Sequence, residues 1–104
     1  MTIDENLLVC VGEECGEIQQ EASKILRFGT NHKRPSKSNK KYDTNGDALM
    51  VEFYQLMAVI EMLQEQNVLP VFDIRDIKNI KRNKKNKIDY YIKKSKELGR
   101  IKED

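Results

Sequence analysis

Apolar residues recur early in the chain at Leu7, Val11, Ile18, Ala22 and Ile25, the three-and-four spacing that lines one face of an α-helix. No stretch of any length alternates apolar and polar with the period of two that a half-buried strand requires. The stripe therefore predicts an all-α chain, and it has one gap. The step from Val11 to Ile18 needs a residue at position 14, and an acid, Glu14, stands where Leu or Ile would be expected. Glu17 follows one turn later and Glu13 lies beside them. Like charges one turn apart repel, and a carboxylate on a core-facing seam is costly unless something compensates it.

The rest of the chain reads as two further helices. Helix one is predicted from about Ile3 to Phe28, with Thr2 and Glu5 as a capping box, Arg27 in the last turn and Gly29 as the stop. Gly12 and Gly16 share a face and cost about 1 kcal/mol each relative to Ala. They mark either a weak, bent helix or a place where a backbone or ligand comes close. Residues 30–46, TNHKRPSKSNKKYDTNG, hold five Lys or Arg and Pro35 with no apolar period, so they read as a basic loop. Long loops inside small domains are often functional. Helix two is predicted from about Asp47 to Gln66, capped by Thr44 and Asp47, with Leu49, Leu56, Val59, Ile60 and Leu63 as its stripe. After a short connector containing Pro70, helix three starts near Asp73 and reaches about Leu98. Any break would fall at Asn83 to Asn86, and residues from about 82 to 104 form a lysine-rich helix or tail.

Helix two repeats the anomaly of helix one. Its seam needs a residue at 52 or 53; Phe53 fills one side, Glu52 the other, and Gln55 follows a turn later on the flank of Glu52. Antiparallel packing would let these oxygens converge with Glu14 and Glu17. Hard divalent cations need such a set, and Mg²⁺ takes octahedral oxygen ligands at ~2.1 Å while keeping waters and substrate phosphates. Facing helices of bundles commonly build metal sites in this way. The plainer reading is a solvated acidic face, which suits Glu13 and Glu21, or a buried acid paired with a lysine. No Cys/His cluster suggests zinc, and His32, the single histidine, lies in the polar loop as a surface residue.

Size and composition bound the options. With 104 residues, 38% hydrophobic and 35% charged, the chain is one domain, and a lone helical hairpin of this length would be marginal. Pairing with a second copy is expected. Cys10 and Cys15 have no redox or zinc spacing and fall on different helix faces, which predicts reduced thiols and a cytoplasmic setting. The N-terminus lacks the basic region of a signal peptide, and no apolar run approaches the ~20 residues of a membrane span.

The acid motifs carry a resemblance. EECGE, Glu13 to Glu17, matches the EExxE motif of the MazG-like all-α nucleoside triphosphate pyrophosphohydrolases, and EFYQ, Glu52 to Gln55, sits where that superfamily carries ExxD. The likeness extends through SKILRFG and EFYQLMAVIEML, covers about Leu7 to Leu69, and is similar to short, single-domain, phage-encoded members; for these the setting would be the host cytoplasm. The resemblance implies hydrolysis of a nucleoside triphosphate to monophosphate and pyrophosphate with Mg²⁺, with Mn²⁺ as a substitute. It implies Glu14, Glu17 and Glu52 as metal ligands, and Glu13 as a further ligand or the residue orienting the attacking water. Lys24 and Arg27, with Lys33 and Arg34 of the loop, would face the phosphates. It also implies a homodimer or homotetramer with a four-helix core. The sequence departs at Gln55, where the family has aspartate. Glutamine can offer a carbonyl oxygen to a metal or hydrogen-bond a ligand, but brings no charge.

A rival reading comes from the other end. KNIKRNKKNK and IKKSK could bind nucleic-acid phosphates, making the chain a nucleotide- or nucleic-acid-binding helical module without turnover. The run lacks interleaved aromatics apart from Tyr90 and Tyr91 and matches no nucleic-acid motif, so a solvated helix face is the commoner meaning. Phe28, Tyr42, Phe53 and Tyr54 are candidates for stacking on a base, though core packing or surface exposure explains each of them singly.

Overall fold

Both ends of the first helix follow from local chemistry. In the computed structural model, which describes residues 1–33 and 41–102, α1 runs Ile3–Phe28. Thr2 Oγ1 accepts from the Glu5 amide at 3.1 Å, and the Glu5 carboxylate accepts from the Thr2 amide at 3.1 Å. This satisfies donors that the first turn leaves open. Gly29, at φ 91°, ends the helix and donates its amide to Ile25 O at 2.8 Å. Gly12 and Gly16 do not break α1, and within this chain a Cβ at either would meet open space. No close approach explains them here.

The second helix, α2, spans Asn45–Glu65. Thr44 Oγ1 accepts from the Asp47 amide at 3.0 Å and Asp47 Oδ2 from the Thr44 amide at 3.3 Å. With Thr44 as N-cap and Asp47 as third helical residue, the helix must begin at Asn45. The predicted start at Asp47 is two residues late because it took the reciprocal acid of the box for the first helical position. Asn67, at φ 61°, closes the other end: its amide donates to Gln64 O at 3.0 Å and that of Val68 to Leu63 O at 2.9 Å. This is the left-handed helix stop usually filled by glycine.

The described ends of the basic loop are stitched together. Asn45, only 1% exposed, donates its side-chain amide to Gly29 O at 3.2 Å and its backbone amide to His32 O at 3.0 Å. The Gly46 amide reaches Thr30 O at 2.9 Å, Lys33 and Thr44 form an isolated antiparallel bridge, and the His32 ring stacks on Phe28 at 5.3 Å. A Cβ at Gly46 would collide with Thr30 Oγ1 and sit 3.3 Å from Thr30 O, so any side chain there would force Thr30 to shift. Loop residues 34–40, including Arg34, lie outside the described residues.

The end of α1 is thus fastened to the start of α2, while Glu14 and Glu17 meet Glu52 further along. The two helices therefore run antiparallel and pack along their length. Leu7, Ala48 and Leu63 are buried, and Val11, Ile18, Ala22, Ile25, Leu49, Leu56, Val59 and Ile60 are half-buried, so both predicted stripes face the seam.

Residues Met1–Pro70 form one unit and the chain from Val71 onward a second. The second is built on α3, Ile74–Glu97, capped by Asp73, whose Oδ1 accepts from the Asp76 amide at 2.9 Å. The helix passes through Asn83 to Asn86 without a break; Asn and Lys are weak to fair helix formers, and neither is a Gly or Pro. It ends in paired bonds from the Gly99 amide to Lys96 O at 3.0 Å and from the Arg100 amide to Ser95 O at 2.8 Å. No α3 residue is buried. Among the described residues there is no strand, and no helix is long and apolar enough to cross a membrane.

Candidate metal centre

The gap in the α1 stripe and the acid on the α2 seam meet. One carboxylate oxygen from each of Glu14, Glu17 and Glu52 lies within 4.8 Å of the others. The helical repeat explains the arrangement: positions 14 and 17 are neighbours on one face of α1, and the antiparallel partner delivers position 52 from across the seam. Glu14 and Glu52 are half-buried, and Glu17 is exposed at the rim.

Electrostatics show that the cluster is under-compensated. Glu14 Oε2 and Glu52 Oε2 are buried with no hydrogen-bond partner among the described residues. The Glu17 carboxyl within hydrogen-bonding reach, then burial, then Glu14, push the Glu52 carboxyl from an ordinary 4.5 up to about 7. A buried oxygen without a donor is rare in native proteins because its desolvation goes uncompensated.

A hard divalent cation suits this donor set. All three groups are oxygen donors gathered at one point of the seam, the ligand type that Mg²⁺ takes. The two orphaned oxygens supply further unsatisfied ligand capacity. Neither nitrogen nor sulfur ligands join the cluster among the described residues.

The remaining predicted site residues are more scattered. Glu13 is exposed on α1, next to Glu14 in sequence. Lys24 Nζ bonds Glu21 Oε1 at 3.2 Å, with 45% of the lysine side chain exposed. Arg27 is exposed in the last turn of α1, and Lys33 is exposed at the loop bridge. Gln55 is exposed and lines a groove with Tyr42 and Tyr54.

One acid differs from its sequence reading. Glu21, expected on a solvated face, is 7% exposed, and its Oε2 is buried without a partner. It stands four residues after Glu17 and seven after Glu14, the repeat that keeps one helix face. That spacing was the available signal. No protein-family model, curated protein or solved structure matches this chain.

Proposed function

We propose that the chain is a Mg²⁺-dependent nucleoside triphosphate pyrophosphohydrolase, releasing nucleoside monophosphate and pyrophosphate. The observation that carries this reading is the convergence of Glu14, Glu17 and Glu52 across the α1–α2 seam, with two buried oxygens left unsatisfied. The likeness of EECGE and EFYQ to the MazG-like motifs supports the same reaction.

Glu14, Glu17 and Glu52 would hold the cation. Bound there, Mg²⁺ supplies positive charge to the phosphate oxygens and relieves repulsion among the acids. Glu13, exposed beside the cluster, orients a water toward the α-phosphorus and draws off its proton. The α-phosphorus gains the water oxygen and loses its bond to the bridging oxygen, which leaves with pyrophosphate. Such transfers depend chiefly on positioning and charge. Lys24 and Arg27, three and six residues beyond Glu21 on α1, offer cations to the phosphate chain, with Lys33 and Arg34 from the loop. Lys24 is already oriented by Glu21.

The exposed apolar side chains of α1 and α2, Leu8, Val9, Leu26, Met57 and Met62 among them, support assembly with further copies to complete a four-helix core. The test is pyrophosphate release from a panel of nucleoside triphosphates with Mg²⁺ or Mn²⁺. Release that disappears in Glu14→Gln, with helicity and assembly intact, is expected. Turnover at the wild-type rate in Glu14→Gln would end the proposal.

A further inference from the structure

The stitch between the end of α1 and the start of α2 makes two demands on adjacent residues. Position 45 needs a side-chain amide, because the buried Asn45 amide donates to Gly29 O at 3.2 Å. Position 46 favours a residue without a Cβ, which would otherwise crowd Thr30. Together they place an asparagine directly before a glycine, the one such pair in the sequence. That dipeptide has a reactivity of its own. The Gly46 nitrogen can attack Asn45 Cγ, and because glycine carries no side chain to shield it, Asn-Gly is the pair in which this ring closes most readily. The new N–Cγ bond forms, the Cγ–Nδ2 bond breaks, and the Gly46 amide proton leaves with Nδ2 as ammonia. Water then opens the resulting succinimide, at the side-chain carbonyl to give aspartate or at the main-chain carbonyl to give isoaspartate. No other reactant is needed.

The closed stitch blocks each part of this chemistry. The Gly46 N–H, which must lose its proton, donates to Thr30 O at 2.9 Å. The Asn45 amide, which must swing toward that nitrogen, is held on Gly29 O, and its backbone N–H donates to His32 O at 3.0 Å. Asn45 is also the first residue of α2, and the ring closes only when the Cα–C bond turns until the next nitrogen lies beside Cβ. The helical ψ holds it off that position. We propose that Asn45 is a deamidation site gated by the stitch, inert while the α1–α2 end is closed and converted to aspartate or isoaspartate when that end opens. The gate works in one direction. A carboxylate at position 45 has no proton to donate to Gly29 O and sets a negative charge against that carbonyl. Isoaspartate also adds a carbon to the main chain, which carries the Gly46 amide away from Thr30 O. Each conversion therefore leaves an end that cannot close as before. The reaction needs neither cation nor nucleotide and stands apart from the hydrolase reading.

The test holds the full chain in mildly alkaline buffer, with and without unfolding concentrations of urea, and follows each asparagine by peptide mass spectrometry. In urea, Asn45 converts fastest of the asparagines. In the native chain its conversion is slower by roughly tenfold or more, since only the open fraction reacts. Thr44→Ala removes the cap on the first turn of α2 and leaves the Asn45–Gly46 pair intact. It speeds native conversion by about fivefold, the usual effect of a lost cap on a helix-opening equilibrium, and leaves the rate in urea unchanged. Should Thr44→Ala lose its helicity, wild type in urea below its unfolding midpoint supplies the same test, its conversion rate rising with denaturant. Asn45→Asp, which installs one product outright, lowers the urea midpoint. The proposal is overturned if Asn45 converts as fast in the native chain as in the unfolded one, or fails to convert in urea. It is overturned equally if weakening the stitch leaves the native rate unchanged, or if Asn45→Asp keeps the wild-type midpoint.

Discussion

Glu52 concentrates the unfavourable electrostatics of the metal-free chain. Its carboxyl titrates near 7 when folded, against an ordinary 4.5, because Glu17 and Glu14 crowd it and burial disfavours its charge. The folded chain therefore holds an extra proton between those values. The stability this proton contributes is fully present below about 4.5 and is lost as pH rises through about 7. Thermal unfolding in a chelator should show a lower midpoint at pH 7.5 than at pH 5, and Glu52→Gln should flatten that slope. Parallel pH profiles for the two proteins would contradict the assignment. Adding Mg²⁺ at pH 7.5 should restore the wild-type midpoint and leave Glu52→Gln unmoved, since only the native chain has the full donor set. Glu14 was legible as an acid occupying an apolar slot, and Glu52 as its counterpart on the second seam. Glu21 was not, because an acid beyond the motif has no sequence mark to separate a buried carboxylate from a solvated one except its place in the helical repeat.

Caps made the helices readable. Thr2 with Glu5 and Thr44 with Asp47 form the boxes their spacing implies, and Gly29 stops α1. What sequence spacing could not show is the long-range stitching around Asn45, whose partners Gly29 and His32 lie on the far side of the loop. Asn45→Ala removes this donor from the carbonyl of Gly29, an exposed residue, and should cost about 0.5–1.5 kcal/mol, read from the urea midpoint. An unchanged midpoint would show that the side-chain bond is not what fastens the two helices. Gly12 makes the opposite prediction. Its Cβ position is open within this chain, so Gly12→Ala should stabilise α1 by about 1 kcal/mol. A loss of stability or of assembly in Gly12→Ala would reveal a second copy packed against that turn, the closer-approach reading of the glycine pair. In α3 the lysines hid a continuous helix, because a chain of fair helix formers with good caps needs no buried face to give its local pattern.

At the scale of the molecule the apolar balance is thin. Leu7, Ala48 and Leu63 are the buried hydrophobic residues among those described, while Leu26, Phe28, Met50 and Met62 remain exposed. A two-helix seam with so little enclosed apolar surface is a weak fold alone. Sedimentation equilibrium at micromolar concentration should therefore find a dimer or tetramer; a stable folded monomer throughout would mean that the hairpin suffices without a partner. The all-α architecture was legible because hydrophobic period is a whole-chain property, whereas assembly depends on which faces stay uncovered, and that requires coordinates. Direct titration with Mn²⁺, followed by electron paramagnetic resonance of the free ion, bears most closely on whether the three acids hold a cation. Wild type should bind Mn²⁺ in proportion to its chains, with Mg²⁺ competing, and Glu52→Gln should lose that site while keeping its helicity. Equal Mn²⁺ binding by wild type and Glu52→Gln, or none by either, would contradict a metal centre between α1 and α2.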